Sequence, residues 1–207
     1  MFISKPRGFT LFTTSFKEGR IKMANKVEFG ISNLHVGTYT VSTSGTVTLG
    51  TPYHQPGAVS LSLEMNSDLN TFYADNIAYW SGYSNGAKEG DLEVAKFDDA
   101  FKTQFLGYTA KTDGGLALVK GVTKPKVYLA FELEGDSEKR RVILYNAALG
   151  DIQRDYETIT ETKEPATETI AVSVAGDNAT GVLEVTYPYG ATGYNTVFTN
   201  PPVPSTT

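Results

Sequence analysis

The chain has two histidines, His35 and His54, 19 positions apart, and no cysteine. A metal site wants three or four imidazole, thiolate or carboxylate ligands at short local spacings, and neither histidine has such neighbours. Both read as surface or turn residues, and no metal or other cofactor is expected. Two close carboxylate pairs come next. Asp98 and Asp99 precede an apolar helical stripe and read as a helix start. Glu132 and Glu134 are two residues apart, which on a strand points both to one face. A glycosidase would set two such acids across a sugar-binding cleft; a solvated strand face or a channel lining demands less. The glycine-bearing stretches Gly82–Gly86 and Gly114–Gly115 read as turns, and neither has the lysine-serine or lysine-threonine ending of a phosphate loop. There is no Gly-x-Ser-x-Gly elbow. Lys139-Arg140-Arg141 lies beside Asp136 and Glu138, so it reads as a charged hairpin end. Tyr73, Tyr79, Trp80 and Tyr83 could stack on sugars or bases, but such clusters more often fill a core or a subunit interface. Nothing here makes a catalytic set, and the chain reads as a non-enzyme.

The elements that must carry these residues are mostly strands. From Ala58 the apolar residues Val59, Leu61, Leu63 and Met65 alternate with Ser60, Ser62 and Glu64, the two-residue period of a half-buried strand. Asn66-Ser67-Asp68 reads as a polar break before an aromatic strand over Leu69 to Ala74. Lys26 to Ile31, Leu34 to Val41 and Thr46 to Leu49 are further strands, the last two parted by a Ser44-Gly45 turn. Phe97, Ala100, Phe101 and Phe105 recur at helical steps, and Gly107 stands where a helix terminator belongs. Val127, Leu129, Phe131 and Leu133 alternate, Gly135-Asp136-Ser137 turns, and Arg141 to Leu149 returns as a hairpin. Arg154 to Thr169 reads as an exposed connection. Ile170 to Ala175 and Val182 to Tyr187 read as a final hairpin about Gly176-Asp177-Asn178. The expected fold is mainly β, a sandwich or partial barrel with one short flanking helix.

The first 22 residues stand apart. They hold five bases and one acid, so of the net charge of −5 they take +4 and leave −9 from Met23 onward. Codons for Lys17-Glu18-Gly19 can contain a purine-rich ribosome-binding sequence shortly before Met23. Residues 1–22 therefore read as a non-native or disordered leader, 23–187 as the folded domain, and 188–207, with four prolines, as an extended arm or tail. The acidic balance argues against a protein that grips nucleic acid through its phosphates. No apolar run approaches 18 residues, so no membrane-spanning helix is expected.

Several pieces in order resemble the major tail proteins of long-tailed, non-contractile bacteriophages (siphoviruses) of Gram-positive bacteria. They are Phe72-Tyr73-Ala74-Asp75-Asn76, Gly90 to Val94 leading into the short Phe97 to Phe105 helix, and Gly107-Tyr108. Lys124-Pro125-Lys126-Val127, Phe131-Glu132 and Arg141 to Asn146 complete them. The resemblance implies a β-sandwich whose copies form hexameric rings stacked into a hollow tail tube, one sheet of each copy joining its neighbours around the channel, with loops and chain ends reaching the next ring. It implies contacts with itself, with a tape measure protein and with terminator or baseplate proteins. Phage DNA would pass through without specific binding and no membrane would be involved. The protein would be made in the host cytoplasm and carried in the virion tail. Candidate lumen-lining residues are Ser60, Ser62 and Glu64 or Glu132 and Glu134; candidate interface aromatics are Tyr73, Tyr79, Trp80 and Tyr83. A rival reading is another virion or surface sandwich, a baseplate or carbohydrate-binding module that uses Tyr73, Tyr79 or Trp80.

Overall fold

Alternating and two-sided apolar segments pair here into one sheet that folds over on itself. The computed structural model describes residues 30–74, 77–154 and 166–206, and of 68–85 it describes backbone alone. The leader over 1–22 lies outside these residues. The strands are β1 (Gly30–Val41), β2 (Val47–Leu49), β3 (Tyr53–His54), β4 (Ala58–Ala74) and β5 (Ile77–Val94). The helix α1 (Asp99–Phe105) and a small hairpin of β6 (Tyr108–Ala110) and β7 (Leu116–Leu118) follow. After them come β8 (Val127–Glu134), β9 (Arg141–Arg154), β10 (Glu168–Val174) and β11 (Glu184–Tyr187). The main sheet runs β2-β1-β8-β9-β10-β5-β4, with β3 beside β1 and β11 beside β9.

The sheet folds over at β9. Arg141–Ala147 pairs with β8, while Ala147–Arg154 pairs with β10. Between the halves Asn146 takes a left-handed conformation (φ 53°) and its amide donates to the Gly176 carbonyl at 2.7 Å. Asn pays less than most residues for that conformation, so the bend falls where the chain tolerates it. The two layers enclose one core built from β1, β8 and β9 on one side and β5 and β10 on the other, including Leu34, Val36, Leu129, Leu144, Leu92 and Ile170. They form a sandwich and do not close into a barrel.

The helix seals one end of that core. Phe97, Phe101 and Phe105 are fully buried, with Phe97 stacked on Phe101 at 4.9 Å and Phe105 tilted against Phe101 at 5.1 Å; each such side chain contributes about 2 kcal/mol by leaving water. Asp98 is the N-cap, its carboxylate accepting from the Phe101 amide at 2.7 Å, and Gly107 at φ +75° ends the turn. The Tyr53 hydroxyl also donates to Asp98, and this bond pushes the phenol up to about 12. Asp98 and Asp99 thus start a helix.

Three local expectations change. Asn66-Ser67-Asp68 does not break the chain: β4 continues through it with a bulge between Met65 and Ser67. Gly82–Gly86 is no turn but part of β5, where a Cβ on Gly86 would sit 2.4 Å from the Asn66 carbonyl oxygen. Ladder bonds are made by backbone, so polar side chains do not interrupt a strand that has a partner. Ile170–Ala175 and Val182–Tyr187 do not pair with each other either. Both lie along the same side of β9, β11 against Arg141–Leu144 and β10 against Ala147–Arg154.

The outer face of β8 and β9 has its own cover. Tyr128, Ala130, Ile143 and Tyr145 are buried there against Val197 and Phe198. Residues 188–206 lie across this face, with Val197 fully buried and the Tyr145 hydroxyl donating to the Pro202 carbonyl at 2.8 Å.

Candidate assembly surface

Strands β4, β5, β10 and the second half of β9 present a face directed away from the core. Leu92, Val94, Ile170 and Val172 point inward and are buried, so their neighbours in sequence point outward. Register sets those neighbours in rows: Ser60–Glu93–Thr169–Gln153, Ser62–Asp91–Ala171, and Glu64–Glu89–Ser173–Ala148. Four carboxylates, Glu64, Glu89, Asp91 and Glu93, therefore share this face, and no lysine or arginine occupies these rows. Glu93 is held by the Ser60 and Thr167 hydroxyls at 3.1 and 2.6 Å, and Glu89 by the Asn66 amide at 3.2 Å. Glu64 stands directly across from Glu89, an arrangement that weakens a strand pair by a few tenths to ~1 kcal/mol. Folding alone gives no reason to keep it.

Both borders of this four-stranded region are open among the described residues. On the far side of β4 no strand follows, and β8 begins at the Val127–Ala147 pair, leaving β9 beyond it without a neighbour there. Apolar side chains are exposed at each border: Val59 (48%) and Met65 (39%) on β4, and Leu118 (49%), Val119 (55%) and Val122 (43%) beside β9. The second group lines an open cleft of about 400 Å³ with Leu106, Lys124 and Asp151. Lys124 reaches from it to the β9 border, its ammonium donating to the Gly150 carbonyl at 2.5 Å and to the Asp151 carboxylate at 2.6 Å.

Ser60, Ser62 and Glu64 thus lie on the acidic face. Glu132 and Glu134 lie elsewhere, on β8. Glu132 pairs with Arg141 at 3.3 Å, and that guanidinium stacks 4.0 Å from the Tyr194 ring and 4.5 Å from Phe198, under the C-terminal segment. Glu134 is exposed at the strand end. One surface does not hold both sets. Tyr73, Tyr79, Trp80 and Tyr83 fall in the paired ribbon of β4 and β5, with Tyr73 across from Ala78 and Tyr83 across from Leu69; their side chains lie outside the described residues.

Glu89, Asp91 and Glu93 were missed from sequence, although their alternation with Gly90, Leu92 and Val94 was there to read. His35 and His54 do meet, as partners across β1 and β3 with rings 4.9 Å apart. Phe198 stacks on His35 at 4.6 Å, and His35 Nδ1 donates to the Asn33 carbonyl at 2.9 Å. Burial, then the charges of His54 and Arg141, hold the His35 ring below the ordinary histidine range against that hydrogen bond. The pair is packed within an aromatic stack, and among the described residues no group of three or more His, Cys, Asp or Glu could hold a metal. Arg140 pairs with Asp136 and Glu138 at 3.3 and 3.1 Å, so the basic cluster is a paired hairpin end.

No curated protein matches the chain in sequence. Among solved structures, it is similar to the tube-terminating cap of the anti-feeding prophage at 12% identity and TM-score 0.45, covering 78% of this chain and 93% of that one. A chain of the PVC sheath–tube complex, from an extracellular contractile injection system, gives 10% identity and TM-score 0.46, covering 78% and 94%. Hcp1 from Flavobacterium johnsoniae gives 9% identity and TM-score 0.31, covering 69% and 90%. The family described as phage tail tube protein matches residues 21–195, most of the chain, and the protein therefore belongs to the phage tail tube protein family, whose members are structural and not enzymes.

Proposed function

We propose that this tail protein assembles laterally into closed rings of one subunit type, hexameric as in the tail proteins it resembles, which stack into the tube of a long-tailed, non-contractile phage of a Gram-positive host. The observation that carries this reading is the four-stranded region with two open borders and one acidic face. The exposed border of β4 in one copy would pair with that of β9 in the next, covering Val59 and Met65 on one side and Leu118, Val119 and Val122 on the other. Such a head-to-tail contact is heterologous, and it closes when its rotation divides a full turn. Closure also removes the free edges that a monomer leaves available for uncontrolled pairing.

In that ring Ser60, Ser62, Glu64, Glu89, Asp91 and Glu93 would line the bore, and Glu132 and Glu134 would not. Carboxylates around a narrow channel repel phosphates, so DNA slides through without being trapped. The Glu64–Glu89 opposition then has a use that outweighs its small loss of stability. The ribbon beyond Lys88, where β10 stops pairing with β5, extends roughly 30 Å at 3.3 Å per residue. It would reach the ring above or below and present Tyr73, Tyr79, Trp80 and Tyr83 as interface residues. A tape measure protein inside the tube and terminator and baseplate proteins at its ends would complete the tail. Assembly would take place in the host cytoplasm, and the virion would carry the product.

Electron microscopy of the purified chain tests the assembly. Hollow filaments with a ring repeat are expected, whereas isolated globules that bind glycans would favour the baseplate or carbohydrate-binding reading. Phage carrying Glu89→Lys with Asp91→Lys should form tubes of normal length and eject DNA more slowly; normal ejection through normal tubes would remove the acidic face from the lumen.

A further inference from the structure

The C-terminal segment is held to the sandwich by side chains and not by a strand ladder. No residue of 188–206 belongs to a strand. Its backbone bonds turn back on itself, from the Tyr194 amide to the Ala191 carbonyl and from the Thr199 and Asn200 amides to the Thr196 carbonyl. The sheet grips it from below: the Arg141 guanidinium donates to the Tyr194 carbonyl at 2.8 Å and the Tyr145 hydroxyl to the Pro202 carbonyl at 2.8 Å. The segment has no Asp, Glu, Lys, Arg or His of its own. A segment attached in this way can open as a unit at less cost than global unfolding, leaving the strands beneath it paired. Opening would uncover Tyr128, Ala130, Ile143 and Tyr145, which now pack against Val197.

One grip can be changed by a proton. Phe198 of the segment touches both the His35 ring and the Arg141 guanidinium, and the row continues to Tyr194 on one side and His54 on the other. His35 is half-buried there. Facing it are His54 from β3, Arg141 from β9, the Asn33 carbonyl of β1 and the uncharged Phe198 ring. On β8 its register partner is Ala130, and the carboxylate of Glu132 is engaged by Arg141 at 3.3 Å. Nδ1 is committed to the Asn33 carbonyl, so a second proton enters at Nε2. It makes a new cation beside Arg141, against a single shared Phe198 ring. Burial and the positive neighbours hold His35 below the ordinary histidine range. The closed segment therefore binds this proton less readily than the open one. Its stability is full above the ordinary value near ~6.5 and is lost as pH falls from there to the folded value, with no further loss below it.

We propose that residues 188–206 form an acid-released latch over the outer face of β8 and β9, with His35 as the residue that senses the proton through its stack on Phe198. The latch works within one copy, so it stands apart from the ring reading. Neutral pH keeps the aromatic face sealed, and mild acid uncovers it while the sandwich stays folded.

Hydrogen exchange of the full chain, followed by mass spectrometry and corrected for the intrinsic effect of pH on exchange, reads the latch. Protection of the Tyr194, Thr199 and Asn200 amides should fall several-fold between about pH 7.5 and 5, while β8 and β9 amides such as Leu129 and Leu144 keep theirs. His35→Phe keeps a ring against Phe198 and cannot take a proton, so its protection should stay level over the same range. Wild-type protection that ignores pH overturns the proposal, as does an unchanged pH dependence in His35→Phe. A second measurement leaves His35 in place. The chain has no cysteine and Val197 is fully buried, so Val197→Cys supplies a single hidden thiol. Its reaction with a neutral aromatic disulfide, relative to the same chain unfolded in urea at each pH, should speed up several-fold in mild acid. A relative rate that stays constant across the range overturns the proposal equally.

Discussion

A single carboxylate shows how burial and hydrogen bonding divide the work at the turn between β10 and β11. Asp177 is buried and accepts from the Tyr39 hydroxyl at 2.6 Å and from the Thr180 amide and hydroxyl at 2.7 and 2.6 Å. Burial raises its pKa, but the bonds from Thr180, Tyr39 and Ala179 outweigh it and hold the carboxyl below the usual range. Asp177→Ala would strip the partner from a buried phenol and should lower stability by about 2–3 kcal/mol. The pH dependence has a definite sign. A depressed carboxylate contributes its full stability above the unfolded value near ~3.9 and loses it as pH falls through the folded value. The stability gap between wild type and Asp177→Asn, measured by urea unfolding, should therefore be full at pH 7 and shrink below about pH 4. A gap that persists unchanged into strong acid would mean that the charge on Asp177 is not what the hydroxyls stabilise.

At the scale of elements, the β4–β5 ribbon depends on how closely two backbones can approach. A Cβ on Gly90 would lie 1.8 Å from the Ser62 carbonyl oxygen, a backbone atom that cannot turn away. Gly90→Ala should pry the strands apart and lower stability by ~1–3 kcal/mol or more, the range for forced overpacking; thermal unfolding identical to wild type would show that Gly90 is not held against Ser62 in solution. Gly90 was legible in sequence only as the start of a strand, because its need for space comes from a partner 28 positions away in the chain. Elements whose signals are local were readable throughout: the β8–β9 hairpin from its alternation and the Gly135 turn, and α1 from Phe97, Phe101, Phe105 and the Asp98 cap. What depends on distant pairing was not. The partner of β11, the continuity of β4 through Asn66-Ser67-Asp68, and the meeting of His35 with His54 are all set by register between strands. The acidic face was half legible for the same reason. Ser60, Ser62 and Glu64 are visible as the polar side of one strand, but only pairing with β5 adds Glu89, Asp91 and Glu93 to them.

For the whole molecule, the question is what would keep a sheet with two borders open among the described residues from pairing before the proposed ring forms. Natural sheets often guard a border with lysine, whose charge is lost to water if a strand docks over it. Lys124 occupies that position here. It caps the Gly150 carbonyl and pairs with Asp151 on the border of β9 that the ring reading assigns to the neighbouring copy. Docking of a neighbour's β4 would have to displace those two bonds, so Lys124 raises the barrier to spontaneous association while leaving the apolar side chains Leu118, Val119 and Val122 ready beneath. Lys124→Ala should then shorten the lag before self-assembly of the purified chain, followed by light scattering, and make it less sensitive to salt, because the Lys124–Asp151 attraction is a screened surface pair. The filaments formed should keep the wild-type diameter, since the substitution removes a guard and not a contact of the finished ring. If Lys124→Ala instead assembles more slowly, the lysine belongs to the interface itself and the border of β9 is reached by a different route.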